Sequence, residues 1–264
     1  MTLSPLRYDK VIPVCSALNI WEYEAMLSEN SSLRRVPASL NRKQAVFIDG
    51  IRHSAEIIAL AHSRLRSTLT ELALNPPSAN ELPLVTPHAF LDAWALVDAV
   101  DKFRLLYQNF PDMIRKAGSE PSLQDAAQSF KKIRDIADHC SAAADRVASK
   151  DTAGLGVLTW LTGYQVSPTE LWYCTIRPGT LKTEPTLKWP RIETKLTWPT
   201  GHICLLVGGC QANLSEILPH IEKRVKKLES DLDIAFERHD LSISPVANDL
   251  FTRQVYKPAS NLKI

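Results

Sequence analysis

The sequence predicts an α+β protein, mainly α: a helical bundle, then a small antiparallel sheet and a closing C-terminal helix. Three observations support this fold class. Apolar residues recur at helical spacing in three long stretches before residue 150, short β-rich runs alternate with Gly and Pro turns beyond residue 155, and helical spacing returns near residue 214. The composition, 45% hydrophobic and 23% charged, is that of a folded chain.

The bundle is predicted to contain three helices. The first spans 41–74 and ends at tandem prolines. The second spans 86–110, with Thr86 as N-cap and Pro87 at the first helical position. The third spans 122–149, where Ser122 and Asp125 resemble a capping box. Its buried stripe is predicted to be Phe130, Ile133, Ala137, Cys140, Ala144 and Val147.

Four β-rich runs follow, at 156–164, 170–179, 191–198 and 201–209, and residues 198–202 suggest a hairpin turn. The final helix is predicted over 214–239, with an apolar stripe of Ile217, Ile221, Val225, Leu228, Leu232 and Phe236. The resulting organisation is an arm with a short strand and helix (1–40), a bundle (41–150), a sheet with a long helix (155–240) and a polar tail (241–264).

Charge and cysteine usage limit the functional classes. The net charge of +2 provides no overall attraction to nucleic acid or a membrane surface, so an RNA partner would need a local basic patch. The sequence shows neither a secretory signal nor an apolar run that could span a membrane. Its five cysteines form no CxxC pair and are expected to be reduced thiols. A cytoplasmic location without membrane contact is therefore expected.

The third helix carries a pair of residues suited to catalysis. Arg134 and His139 are five positions apart and flank the polar side of the helix. Histidine exchanges protons near neutral pH, and arginine binds phosphate oxygens. Together the two side chains could activate an RNA 2′-hydroxyl and stabilise the charge that develops on the adjacent phosphate.

The run Arg134-Asp135-Ile136-Ala137-Asp138-His139 resembles the signature of HEPN domains, in which four to six residues separate Arg from His and the residue after Arg is polar. The resemblance covers roughly residues 42–150. It implies a helical bundle and metal-independent endoribonuclease activity without a cofactor. It also implies that Arg134, Asp135 and His139 are catalytic and that two copies associate so that their motifs form one cleft.

Neighbouring charges could assist such a site. Lys131 and Lys132 are candidates for guiding RNA phosphates, and Asp98 or Asp101 could orient His139. The alternative is that these residues lie on solvated helix faces, with Arg134–Asp138 and Asp135–His139 as surface ion pairs. The chain would then be a non-catalytic protein-interaction or dimerisation module on a HEPN-like scaffold. The sequence leaves open whether the chain is an enzyme.

A homodimer is expected, and two helices are candidates for its interface. Small residues on more than one side of the third helix, including Ala142 and Ala143, would allow a second copy to approach closely. The apolar stripe of the final helix could serve instead, and this helix or the tail could also bind a protein partner.

Three further motifs have simpler interpretations. His53 and Glu56 have the spacing of metal ligands but no third ligand on the same face, so no metal site is expected. Gly208 and Gly209 are interpreted as a tight connection between a strand and the final helix, capped by Asn213 or Ser215. Cys210 follows them without an identifiable histidine partner.

Overall fold

The computed structural model describes residues 25–37, 39–111, 123–149, 154–163, 171–179, 199–237 and 251–253. The protein is mainly helical, with a small antiparallel sheet and a C-terminal helix, as the sequence predicts. The helices are α1 (Arg42–Leu74), α2 (Leu82–Gln108), α3 (Leu123–Ala126), α4 (Gln128–Asp138), α5 (Cys140–Ser149) and α6 (Ile217–Phe236). The strands are β1 (Val157–Gly163), β2 (Leu171–Ile176), β3 (Thr200–Val207) and β4 (Cys210–Asn213).

The two longest helices, α1 and α2, form an antiparallel pair. The beginning of α1 lies against the end of α2, because a Cβ added to Gly50 would lie 2.7 Å from the Leu106 side chain. Further along α1, Arg64 reaches Asp92, which is nearer the beginning of α2. Asn41 begins α1 by accepting a hydrogen bond from the Lys43 N–H through its side chain. Ile51, Ile58, Leu65 and Leu69, which recur at helical spacing along α1, are fully buried.

Helix α2 begins earlier than predicted. It starts at Leu82, so Thr86 is not its N-cap and Pro87 lies inside the helix. The Thr86 hydroxyl donates to the Leu82 carbonyl. Pro87 lacks the N–H that would bond four residues back, but it stands close enough to the N-terminus for the remaining turns to form regularly.

The predicted single helix over 122–149 is wrong: the described part of it is divided into α3, α4 and α5. The breaks fall at Ala127 and His139, both with non-helical backbone angles. A Cβ placed on Gly208 would lie 3.3 Å from Ile136 and 3.6 Å from Val147. In a straight helix these two residues would be separated by about 16 Å along the axis. The chain therefore turns at His139 so that both side chains pack on the same glycine.

The burial of this segment also differs from the prediction. Phe130, Ile133 and Val147 are buried as expected, but Ile136 takes the buried position in place of Ala137. Ala144, the other alanine of the predicted stripe, is exposed as well. The turn at His139 interrupts the helical period on which the prediction rested.

The sheet has the strand order β2-β1-β3-β4, and all its pairs are antiparallel. The side chains of Thr162 and Thr200 bond at 2.8 Å, and the Thr70 hydroxyl of α1 donates to Thr200 at 2.7 Å. These bonds join α1 directly to the sheet.

Strand β4 was not predicted. Gly208 and Gly209 both have positive φ and form a two-residue hairpin turn between β3 and β4, not a direct connection to the last helix. Asn213 ends β4, and its side chain accepts from the N–H groups of Ser215 and Glu216. Asn213 thus closes the turn before α6, but the N-cap of α6 itself is Glu216, which makes no side-chain cap hydrogen bond.

The whole predicted stripe of α6 is buried. Buried residues from Leu27 to Phe236 form one hydrophobic core that bundle and sheet share. The predicted strands at 10–16 and 191–198, the Ser122 cap and nearly all of the tail lie outside the described residues. Among the described residues, no helix combines the length and the apolar character that crossing a bilayer requires.

Candidate functional site

Arg134 lies on α4 and faces α2. Its Nη1 donates to Oδ2 of Asp101 at 2.7 Å, and its Nε lies 3.4 Å from Asp98 and 3.6 Å from Asp138. The contacts of Nε are ion pairs without hydrogen-bond geometry. The hydrogen bond that Arg134 donates to Asp101, together with the charges of the three carboxylates, raises the pKa of Arg134 above its usual value. Arg134 is therefore paired with carboxylates of the protein itself.

The carboxylate of Asp101 is shared by two arginines. Arg104, one turn later on α2, donates to Oδ1 of Asp101 from Nε at 2.9 Å and from Nη2 at 2.6 Å. Only 6% of the side-chain surface of either Asp101 or Arg104 is exposed. The Nη1 of Arg104 donates to Gln108, which in turn bonds Gln124 of α3. A chain of polar contacts thus fastens α3 and α4 to α2.

We call Asp98, Asp101, Arg104, Arg134 and Asp138 the arginine–carboxylate cluster. Three carboxylates and two guanidiniums give it a formal charge of −1. The side chains of Asp98 and Asp138 are 67% and 58% exposed, so the excess negative charge is on the solvent side. An approaching phosphate would be repelled by this excess negative charge.

His139 occupies the break between α4 and α5. It is the C-terminal cap of α4, its backbone N–H bonds to the carbonyls of Asp135 and Ala137, and its side chain is exposed. Within the described part of the chain its imidazole has no ion-pair partner. Asp98 and Asp101, which were expected to orient His139, contact Arg134 instead.

The other predicted site residues also have definite surroundings. Asp135 pairs with Lys131 at 2.7 Å, one turn earlier on the exposed face of α4, instead of pairing with His139. Lys132 is exposed. The predicted pair of Arg134 with Asp138 is present at 3.6 Å. The predicted carboxylates on α2 thus lie around Arg134, whereas Lys131, Asp135 and His139 form no ion pair or hydrogen bond with it.

Sequence reasoning missed an apolar feature on the same helix. Leu84, Leu91 and Leu105, which we call the leucine row, are 62%, 62% and 41% exposed. Their separations are whole multiples of seven residues, so they follow one side of α2, with Asp98 at the vacant heptad position. The heptad spacing was visible in the sequence, but it did not reveal which face of α2 remains uncovered.

Two other candidate sites have structural explanations. His53 lies 3.4 Å from Asp49 and 4.0 Å from Glu56, but Glu56 is paired with Arg34. A cavity of about 530 Å³ separates the end of α1 from β2 and is lined mainly by apolar side chains. Burial raises the pKa of Cys174 in its wall, so this thiol is not activated.

Comparisons of this chain with models of protein families, with curated proteins and with solved structures found no match.

Proposed function

We propose that this chain is a non-catalytic interaction module, built on a HEPN-like helical scaffold, that binds protein through the exposed side of α2. The observation that carries the proposal is the leucine row. Fully burying a leucine side chain contributes about 1.5–3 kcal/mol, and most of this remains unrealised at Leu84 and Leu91. Exposed apolar side chains aligned on one side of a helix beside charged groups are found at protein-binding surfaces.

The arginine–carboxylate cluster supports a scaffold more than a catalytic centre. A phosphate-binding arginine needs donors that point into free space, whereas Nη1 of Arg134 is bonded to a buried carboxylate. The same contact holds α4 against α2. Arg134 and Asp101 therefore support the surface on which the leucine row lies.

The interaction is tested by placing a photo-crosslinking amino acid at Leu91 and, as a matched control, at the exposed Glu222 on α6. Illumination in living cells should yield adducts heavier than the 29.5 kDa chain from position 91 and none from position 222. Equal labelling, or none, at the two positions would contradict a binding surface on α2.

A metal-independent ribonuclease of the HEPN type is the second candidate. It is favoured by the exposure of His139 on a helix end five residues after Arg134. In that case purified protein should cut single-stranded RNA in EDTA and leave 2′,3′-cyclic phosphate ends. His139→Ala and Arg134→Ala should each abolish the activity. Absence of cleavage, or equal cleavage by all three proteins, would remove this candidate.

A further inference from the structure

We infer that the partner of the α2 surface is a second copy of this chain, packed antiparallel across a two-fold axis so that Asp98 of each copy meets Lys102 of the other. The inference rests on the proposed function and specifies its partner. In a two-fold interface every contact occurs twice, so one complementary pair of residues supplies two ion pairs.

The first argument is charge. Asp98 and Lys102 stand one turn apart on the exposed side of α2. Lys102 has no ion pair with any residue that the structure describes, and Asp98 belongs to a cluster whose formal charge is −1. Lys102 of the second copy would neutralise that cluster. Each copy therefore carries both the missing cation and the uncompensated anion.

The second argument is the register that this pairing imposes. Ala95 lies three residues before Asp98, and Leu105 lies three residues after Lys102. When two α2 helices run antiparallel, Leu105 of one copy therefore meets Ala95 of the other. A large exposed side chain faces a small one at that level, which is the complementarity that close helix packing needs.

Helix α1 extends the apolar surface at the same level. Ile57 is 44% exposed and lies seven residues before Arg64, which reaches Asp92 of α2. Ile57 thus lies on the side of α1 that borders the exposed side of α2. In the proposed register, α2 overlaps its copy from residue 92 to residue 108, about 24 Å. So short an overlap favours a transient dimer with a dissociation constant on the order of micromolar.

The decisive experiment exchanges the charges. Lys102→Glu alone places acidic groups against Asp98, and Asp98→Lys alone places lysine against lysine. Each purified variant should therefore dissociate at least about tenfold more readily than the native chain in sedimentation equilibrium. An equimolar mixture of the two variants should associate again, because only the mixed pair combines opposite charges. Thermal unfolding of each variant provides the folding control, since Asp98 also contacts Arg134.

A second measurement does not depend on those charges. The double variant Ala95→Cys with Leu105→Cys should form a covalent dimer under mild oxidation. The matched pair Ala95→Cys with Leu91→Cys should not, because the register places Leu91 opposite Asn109. A monomer at about 100 µM, well above a micromolar dissociation constant, would overturn the inference. A dimer that is indifferent to Lys102→Glu would also overturn it.

The crosslinking experiment separates this inference from the proposed function. Adducts from position 91 at twice the 29.5 kDa chain mass support a second copy as partner. Adducts with a different protein alone would refute self-association and leave the interaction module standing. Absence of all specific adducts would refute both.

Discussion

Asp101→Ala and Arg134→Met should lower the free energy of unfolding by very different amounts, although both changes remove the same ion pair. Asp101→Ala removes the one counter-charge that the buried Arg104 has among the described residues, as well as the hydrogen-bond acceptor of Arg134. Arg134→Met removes one guanidinium but leaves Asp101 bonded to Arg104. The methionine also retains most of the apolar stem that packs between α4 and α2.

The magnitudes follow from burial. Arg104 is 6% exposed in its side chain, and stranding a buried charge of this kind costs about 3–5 kcal/mol. The Arg134 side chain is 34% exposed, so water screens it and part of its attraction to Asp101 is lost to solvent. We expect Arg134→Met to cost about 1–2 kcal/mol, and His139→Ala, at an exposed position, no more than about 0.5 kcal/mol.

Urea unfolding followed by circular dichroism measures these differences, provided that the slopes of the transitions agree. Equal losses for Asp101→Ala and Arg134→Met would show that Arg104 does not depend on Asp101. A loss below about 1 kcal/mol for Asp101→Ala would refute the buried pair altogether. The double variant should cost less than the sum of the single changes, because the two residues share one interaction.

Three other predictions concern separate parts of the molecule. Burial, aided by the charge of Arg66, lowers the pKa of His62 to about 4, from its usual value of 6.5. Below pH 6.5 the histidine therefore binds a proton in the unfolded chain, whereas in the folded chain it stays neutral until about pH 4. Between about pH 6.5 and pH 4 the native chain should therefore lose about 3 kcal/mol more stability than His62→Leu, as urea unfolding at pH 7 and pH 4 would measure; an equal loss in both proteins would contradict this assignment. Gly156→Ala should destabilise by about 2–4 kcal/mol, since φ is +91° and a Cβ would lie 2.6 Å from the Leu206 carbonyl oxygen, whereas Gly154→Ala should change stability by less than about 0.5 kcal/mol. Ala142→Trp should leave a dimer formed through α2 intact in light scattering, and its dissociation would favour an interface on α5 instead.

Regular elements could be predicted wherever burial and periodicity agree. The stripes of α1 and α6 lie wholly on their own helices, so their spacing alone identified them. The break at His139 carries no glycine or proline signal, because it is imposed by packing of Ile136 and Val147 on Gly208. Strand β4 has only four residues, too few for alternation to distinguish it from a connection.

Some contacts of the candidate site could likewise be predicted from spacing along one helix, whereas others depend on how the helices pack. The pair of Asp101 and Arg104 is three residues apart on one helix and could have been recognised from spacing. The contact between Asp101 and Arg134 joins α2 to α4, so it depends on how the helices cross, which no local pattern specifies. The seven-residue spacing of Leu91, Asp98 and Leu105 places them on one side of α2, but only the packed structure distinguishes an uncovered side from a core side.

The contact of Ile136 with the hairpin turn has a practical consequence for dissecting this protein. Ile136 and Val147 lie against Gly208, so the inner face of α4 is covered by the sheet that follows it. A fragment that ends near residue 150 would expose Ile133 and Ile136 to water. Such a fragment would aggregate or collapse without fixed packing, and its failure to bind or cleave would say nothing about the intact chain. Activity and association therefore have to be measured on protein that retains the sheet and α6.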